Sequence, residues 1–417
     1  EVHPEDRDRI AKYVADGRLL VGPWYTCPES FNVTGESIVR NLLYGHRVAR
    51  SFGKVMKIGH TPFSYGQNSQ MPQIYLGFGI DTILYYHGIT HDTELEFIFE
   101  GADGSQIMAS QMSSYARYNF YHHVYRNIIY GEKMDDRMYS WTEGGLPFHR
   151  CNDDQVMGHH FLLDPVKHFY KDRIGDSVRW LREAEAQNVT TNHMGFMDGH
   201  DSSVADPIVL EIIEEAKKHL PDDTIFHSTL PDYINSVKAD VKNLKVLKGE
   251  SRIPKMMGGR IHLYSDVMSS RTRMKRRNAQ AEQLLQQVAE PFAVMAWALG
   301  DEYPKAVLDM AWKQLLRCHA HDSIAGSGVD DIEQDMHFRL RQVINIAQAQ
   351  LTRSLGAIQT RIDNSDADPK DVLLTVFNPS PFPRTEVVSC AVDLPKEDAY
   401  KAISLVNATT GKKAVLQ

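Results

Sequence analysis

Several features that would place this chain in a specialised class are missing from its sequence. Its 417 residues contain no apolar run near the roughly 18 that cross a membrane. No basic stretch followed by an apolar one opens the chain, so a secretory signal is not predicted. The four cysteines are far apart and form no Cys-x-x-Cys pair, which argues against a disulfide framework or a cysteine zinc site. These absences predict a reduced, cytoplasmic setting.

The sequence also has fewer basic residues than acidic ones. The formal net charge is −8 and the pI is near 6.2, which argues against nucleic acid or an anionic membrane as a partner. Hydrophobic residues make up 42% and charged residues 24%, which is ordinary for a globular protein. At this length we expect two or three domains.

The first 250 residues alternate short apolar runs with helical stretches. The predicted elements are strand Arg18–Gly22, helix Glu36–Ser51, strand Val55–Gly59, helix Met71–Phe78 and strand Thr82–Tyr86. Strands separated by helices imply crossover connections and a mainly parallel sheet. In such a sheet the functional groups lie at the carboxyl ends of the strands.

The pattern changes after about residue 265. Long stretches rich in Ala, Leu, Gln, Arg and Met, such as Asn278–Leu299 and Lys305–Cys318, predict a helical bundle. Beyond it, Val372–Phe377 and Glu386–Val392 are β-type runs on either side of a Pro-rich turn. They predict the opening of an all-β domain.

Two polar clusters have residue types that could carry chemistry. In Cys318–Ser327, the imidazole of His321 suits zinc, and the carboxylate of Asp322 could orient it or bind sugar hydroxyls. A hydrogen-bonded structural role is the commoner interpretation of such a cluster. In Phe196–Ser203, Asp201 could serve as a general acid if an apolar pocket raised its pKa. The alternative is that Asp201 caps the following helix.

Three further segments are less specific. The loop Gly59–Gln73 could present side chains to a ligand but lacks a phosphate-loop pattern. The aromatic residues of Tyr115–Tyr125 predict either a surface for sugar rings or a half-buried strand edge. The charge run Arg271–Arg277 is interpreted as a solvated helix face.

Several motifs occur in an order and spacing that are typical of one enzyme family. They are Gly22–Tyr25, Ser37–Gly45, Gln70–Tyr75, Gly77–Asp81, Tyr264–Arg271, His321–Ile324 and Phe377–Pro379 with Arg384. Together they resemble glycoside hydrolase family 38, the α-mannosidase family, in its bacterial branch, over nearly the whole chain. The resemblance implies a zinc-dependent retaining hydrolysis of α-mannosides. One carboxylate attacks the sugar, another serves as acid/base, and zinc grips two sugar hydroxyls.

The resemblance also implies an architecture and roles for three residues. Asp201 matches the acid/base, His321 a zinc ligand and Asp322 a carboxylate that hydrogen-bonds mannose, and Asp201 and His321 should lie within about one sugar ring of each other. The implied fold is an α/β barrel-like (β/α)7 domain lacking its first strand, then a three-helix bundle, then the start of an all-β sandwich. The expected boundaries are 1–262, 263–365 and 366–417. The implied partners are an α-mannoside substrate and a second copy of the chain in a homodimer.

Two departures from the family pattern bear on activity. The family's nucleophile loop reads Pro-Asp-x-Phe-Gly, whereas this chain has Phe63 at the position of the Asp, and a phenyl ring can neither form a glycosyl ester nor bind a cation. The family's first zinc ligands lie in a His-x-His-x-Asp type motif upstream of this sequence, and His87 stands where an Arg is familiar.

These departures leave His321 as the remaining zinc ligand. A catalytic zinc takes three protein ligands, so Zn²⁺ is expected for the intact family member but not for a site with one imidazole. The alternative function is therefore a catalytically impaired sugar-binding relative. A third possibility is an unrelated α/β enzyme in which the motifs coincide by chance.

Overall fold

The computed structural model describes most of the chain in three successive parts. The described residues are 3–60, 66–84, 94–111, 113, 118–129, 169–199, 205–251, 265–368, 371–394 and 403–415. A mixed α/β part comes first, a helical part follows, and a stretch without helices or strands among its described residues comes last.

The α/β part contains seven α-helices within the described residues. They are α1 (Arg7–Ala15), α2 (Gly35–Arg50), α3 (Met71–Gly77), α4 (Arg126–Ile129), α5 (Ile174–Ala186), α6 (Ile208–His219) and α7 (Leu230–Asp240). Short 3₁₀ turns, Pro4–Asp6 and Lys171–Arg173, precede α1 and α5. The helices predicted around α2 and α3 are confirmed to within one residue at each end.

Five strands form one mixed sheet in the order β1-β2-β4-β3-β5. They are β1 (Gly59–His60), β2 (Thr82–Leu84), β3 (Glu96–Glu100), β4 (Gln106–Ser110) and β5 (Val246–Lys248). Three of these four pairings are parallel, and β3 pairs with β4 in the antiparallel sense. The carboxyl ends of β1, β2 and β4 therefore share one edge. Closure into a (β/α)7 barrel stays a prediction.

The predicted strand Arg18–Gly22 does not form. The N–H groups of Arg18 and Leu19 donate back to the carbonyl of Tyr13 at 2.9 and 3.1 Å. These bonds end α1 with a turn, and no residue of the segment belongs to a strand. Of the predicted strand Val55–Gly59, only Gly59 joins β1.

The core of the sheet packs against α2 and α3. Its buried members include Ile38, Leu42, Met71, Tyr75, Ile83, Phe97 and Phe99. At Gly45, α2 also passes close to the incoming chain, since a Cβ there would lie 2.2 Å from the carbonyl oxygen of Pro23. Only glycine permits that approach, which fixes where the residues after Pro23 run.

The aromatic segment near residue 120 belongs to the core. Tyr121–Tyr125 is a π-helical turn that leads into α4. The rings of Tyr121 and Tyr125 are stacked 5.4 Å apart, and the residues are only 6% and 5% exposed. The strand edge predicted here is therefore wrong for the described residues 118–125, and the rings of Tyr121 and Tyr125 are used for packing. The sugar-binding surface stays a prediction.

The helical part confirms the predicted change of character. Its elements are the 3₁₀ turn Ser265–Met268, α8 (Thr272–Glu282), a π-helical turn Gln283–Ala289, α9 (Glu290–Ala298), α10 (Lys305–Cys318), α11 (His321–Ala325) and α12 (Asp330–Gln359). The long helix α12 packs against α8, α9 and α10 around Met274, Leu285, Trp312, Leu315 and Leu340. No helix in the described ranges is long and apolar enough to cross a bilayer.

The two β-type runs after the bundle are not strands in the structure. Val372–Phe377 and Glu386–Val392 form no helix and have no ladder partners among the described residues. Most of their apolar side chains remain exposed, as for Val387 at 90%. A strand forms only when a neighbour satisfies its backbone groups, and composition alone does not show whether that neighbour is present. The sandwich domain stays a prediction.

Candidate active site

Two of the three predicted site residues lie in the described part of the chain. His321 and Asp322 are the first residues of α11, a helix of five residues that follows α10. Asp201 lies outside the described residues, as do Phe63 and His87. The proximity of Asp201 to His321 therefore stays a prediction.

The segment Pro23–Glu29 is hydrogen-bonded to both the α/β part and the helical part. Asn41 of α2 is fully buried, and its Oδ1 accepts hydrogen bonds from the N–H groups of Tyr25 and Thr26 at 2.9 and 3.1 Å. The Thr26 hydroxyl in turn donates to the carbonyl of Leu316, near the end of α10, at 2.9 Å. This chain of bonds places the segment beside the start of α11.

A short ladder then joins the segment to the residues before α11. Pro28 and Ala320 form an isolated antiparallel bridge. The His321 N–H donates to the carbonyl of Cys27 at 2.9 Å. His321 and Asp322 thus lie at the junction between the two parts of the chain.

The ring of His321 is oriented by the same carbonyl. Its Nδ1 lies 3.3 Å from the oxygen of Cys27. A carbonyl oxygen can only accept, so Nδ1 carries a proton, and in the neutral imidazole Nε2 keeps its lone pair. Nε2 lies 3.6 Å from Oδ2 of Asp322, on side chains that are 22% and 66% exposed. In that form the two atoms are electron-pair donors close to each other, a combination that suits a ligand hydroxyl or a cation.

Ser327 holds the carboxylate of Asp322 from the other side. The Ser327 hydroxyl donates to Oδ1 at 3.2 Å, and its N–H donates to the Asp322 carbonyl at 3.1 Å. These two bonds restrict both the backbone and the side chain of Asp322. A carboxylate fixed in this way can accept a hydrogen bond from a sugar hydroxyl with little further ordering.

The described residues do not supply a catalytic zinc site by themselves. Within the described ranges, no three His, Cys, Asp or Glu side chains lie close enough together to hold one metal ion. His321 and Asp322 are a pair, and a catalytic zinc takes three protein ligands. These two residues alone do not fit the ion.

A buried polar network lies behind His321. His319 is fully buried, and its Nε2 donates to Oδ1 of Asn278 at 3.0 Å. Asn278 donates to Oε2 of Glu282 at 3.0 Å, and the Ser37 hydroxyl donates to Oε1 at 2.6 Å. Burial lowers the pKa of His319 to about 3 and raises the pKa of Glu282. The imidazole is therefore neutral near pH 7.

We expect His319 to contribute a loss of stability in mild acid. Its ordinary pKa is 6.5 and its folded-state pKa is about 3, so between these values the unfolded chain binds a proton that the folded chain excludes. The contribution of His319 to stability therefore falls as the pH decreases through this window, by about 2–3 kcal/mol between pH 6.5 and 4.5.

The measurement is the thermal unfolding midpoint at pH 7 and pH 4.5. The midpoint of a His319→Gln variant should fall less on acidification than that of the wild type, because an amide does not titrate here. His227→Gln serves as the control, since His227 is exposed. Equal acid sensitivity of wild type and His319→Gln would contradict the assignment.

Asn119 holds the segment that leads towards Asp201. Its side chain is fully buried, and its Nδ2 donates to the carbonyl of Gly195 at 3.0 Å. Its Oδ1 accepts the N–H of Met197 at 2.7 Å. The described residues 193–199 belong to no strand, so these bonds stand in for a ladder. Sequence reasoning missed Asn119, since the partners are 76 and 78 residues away.

Asp198 is a second carboxyl that sequence reasoning did not single out. Although its side chain is solvent-accessible, desolvation by the surrounding protein raises its pKa, and the charge of Asp206 adds to the effect. A carboxyl with a raised pKa three residues before Asp201 is a competing candidate for general acid. The sequence feature that could have indicated Asp198 is its position in the polar cluster Phe196–Ser203, which also contains Asp201.

Comparison with known proteins agrees with this two-part arrangement. The family model described as "Glycosyl hydrolases family 38 N-terminal domain" matches residues 1–258. The chain belongs to glycoside hydrolase family 38. A second model, "Alpha mannosidase middle domain", matches residues 262–358 of this family 38 chain. His321 and Asp322 therefore lie in the middle-domain match. The segment Pro23–Glu29, which is bonded to the start of α11, lies in the N-terminal match.

Curated relatives of this family 38 chain are much longer than it is. It is 28% identical over 393 residues to the "Putative mannosylglycerate hydrolase" of Halalkalibacterium halodurans, covering 90% of the chain and 38% of the relative. It is 22% identical over 418 residues to Alpha-mannosidase 2C1 of Mus musculus, covering 97% of the chain and 33% of the relative. The chain thus spans little more than a third of their lengths.

Solved structures share the fold of this family 38 chain. An alpha-mannosidase from Enterococcus faecalis V583 superimposes with a TM-score of 0.70 at 23% identity, over 88% of this chain and 37% of that one. A family 38 protein from Enterococcus faecalis gives a TM-score of 0.60 at the same identity, over 88% and 35%.

Proposed function

We propose that the protein is a glycosidase that hydrolyses α-mannosides with retention of configuration. The observation that carries the proposal is the geometry at the start of α11. Nε2 of His321 and Oδ2 of Asp322 lie 3.6 Å apart, at the junction of the two parts of the chain. Membership of family 38 supports this reading of the pair.

In this proposal the pair at the start of α11 holds the sugar and Asp201 moves the proton. The carboxylate of Asp322 accepts a hydrogen bond from one mannose hydroxyl, and the lone pair of His321 is directed at a neighbouring one. Asp201 protonates the leaving oxygen and then takes a proton from the attacking water. Because Phe63 cannot act as the nucleophile, a carboxylate at another position must do so.

Zinc dependence, domain limits and location belong to the same proposal. The family resemblance makes His321 a zinc ligand, and a complete site would need further ligands from outside the described residues. The proposed domains are 1–262, 263–365 and 366–417. A cytoplasmic homodimer is proposed, and a mannosylglycerate relative makes mannose joined to glycerate the first natural conjugate to test.

The testing experiment measures release of nitrophenol from 4-nitrophenyl α-mannoside, with the β-mannoside and α-glucoside as specificity controls. We expect turnover of the α-mannoside alone, with an α-configured first product by NMR. Asp322→Ala should lower kcat/KM by about tenfold or more, because a hydrogen bond to a charged group is lost. Asp331→Ala, an exposed carboxylate in the first turn of α12, should leave it unchanged.

Phe63 favours a second candidate function, that of a sugar-binding relative without catalysis. The same wild-type and variant proteins distinguish the glycosidase from the sugar-binding protein. Binding of methyl α-mannoside by calorimetry, without hydrolysis of any α-mannoside, would contradict the glycosidase and support the binding protein. Zinc content measured in parallel should be substoichiometric if His321 is the principal ligand.

A further inference from the structure

We propose that Arg271 is a positioning residue that holds Asp322 in place through Ser327. The role of Asp322 as a substrate-binding carboxylate rests on the proposed function. The contacts between Arg271, Ser327 and Asp322 are independent of it.

Arg271 grips the backbone on both sides of Ser327. Its Nε donates to the carbonyl of Gly326 at 3.1 Å, and its Nη2 donates to the carbonyl of Gly328 at 2.8 Å. A guanidinium is planar and presents its donors in a rigid fork, so the two carbonyls are held at a fixed separation. Ser327, between them, therefore has a fixed position.

The Arg271 hydrogen bonds matter because two of the three residues 326–328 are glycines. Gly326 has φ +87, and a Cβ there would lie 2.9 Å from the hydroxyl oxygen of Ser270. Glycines on both sides of Ser327 leave the backbone many alternative conformations. The Ser327 N–H bond to the Asp322 carbonyl holds the loop from one side, and the Arg271 bonds add a second restraint that keeps the Ser327 hydroxyl 3.2 Å from Oδ1 of Asp322.

Arg271 is itself held by acidic residues and by its backbone. Its Nη1 donates to Asp330 at 3.0 Å and forms an ion pair with Glu333, both in the first turn of α12. Its φ of 46 lies in the left-handed region, which a non-glycine residue seldom occupies. A sparsely populated conformation that is held by several bonds is a reason to look for a function.

A second cation also donates a hydrogen bond to α11. The ammonium of Lys275 donates to the carbonyl of Ala325, the last residue of α11, at 3.0 Å. The interpretation of Arg271–Arg277 as a solvated helix face is therefore wrong for Arg271 and Lys275. It is right for Arg273, which is exposed on the same helix.

The experiment compares Arg271→Gln with Arg273→Gln in the protein, using 4-nitrophenyl α-mannoside. Arg271→Gln is expected to lower kcat/KM about tenfold, and Arg273→Gln to leave it within twofold. Ser327→Ala should reproduce most of the loss without altering the charge of the helix. In an Asp322→Ala background, Arg271→Gln should cause no further loss, because its effect passes through Asp322.

Two results would overturn the proposal. One is a full additional loss from Arg271→Gln in the Asp322→Ala background, which would show a general destabilisation instead of positioning. The other is an unchanged kcat/KM in Arg271→Gln.

If the wild type hydrolyses no α-mannoside, the proposed function fails and a crystal structure of Arg271→Gln decides the positioning alone. Separation of the Ser327 hydroxyl from Asp322 would support it. A retained contact near 3.2 Å would overturn it.

Discussion

Replacement of Asp201 by Asn is expected to lower kcat about 10²–10⁴-fold for an aryl α-mannoside with a poor leaving group. The carboxyl is proposed to protonate the departing oxygen, and an amide of the same size cannot supply that proton. A dinitrophenyl leaving group needs no protonation. The first step of its hydrolysis should therefore be almost unaffected by the replacement.

The leaving-group series is what identifies the acid. A general loss of folding would reduce hydrolysis of all the substrates alike, whereas loss of the acid produces a steep dependence on the pKa of the phenol. Asp222→Asn, at an exposed position, should show the wild-type dependence. If Asp198→Asn shows the steep dependence on the pKa of the phenol and Asp201→Asn does not, the acid is Asp198. The assignment taken from the resemblance is then wrong.

Replacement of Glu282 by Ala is expected to lower the free energy of unfolding by about 3–5 kcal/mol. Its buried carboxylate accepts hydrogen bonds from the Thr34 N–H at 3.0 Å, the Ser37 hydroxyl at 2.6 Å and the Asn278 amide at 3.0 Å. Alanine leaves these donors buried without an acceptor. The measurement is urea-induced unfolding at pH 7.

Glu282→Gln is the matched control. Burial raises the pKa of Glu282, so the folded state disfavours its ionised form, and stability falls as the pH rises above the ordinary value of 4.5. A neutral amide avoids that penalty at pH 7 and keeps one acceptor oxygen for Thr34 and Ser37, but its NH₂ group then faces the Asn278 donor that Oε2 had accepted. Its loss should therefore be about 1–2 kcal/mol, below that of alanine. Equal losses for Ala and Gln would contradict the role of the network.

Local patterns predicted the helices of this protein well. The predicted helix Lys305–Cys318 agrees with α10 at both ends, because Pro304 precedes it and the apolar spacing runs unbroken to Cys318. Patterns failed where a distant partner decides the outcome. Residues 372–377 have strand composition, but no strand pairs with them in the part of the chain that the structure describes. The aromatic run at Tyr121–Tyr125 is a helix packed into a core.

The candidate site was predictable only in its local part. His321 and Asp322 are adjacent in sequence, so their cluster was visible there, and the resemblance then gave them roles. The contribution of Arg271 was hidden, because a charge run gives no indication that one of its members reaches residues 326 and 328. Contacts across 55 or more residues need a fold before they can be inferred.

The pairing of Pro28 with Ala320 has a consequence for how this chain can vary during evolution. The peptide groups that orient His321 are contributed by a stretch encoded nearly three hundred residues earlier in the same chain. A recombination event that exchanged the helical part for a foreign one would carry the imidazole along and leave behind the carbonyl that sets its tautomer. The two parts are thus expected to be inherited together, although each has a hydrophobic core of its own.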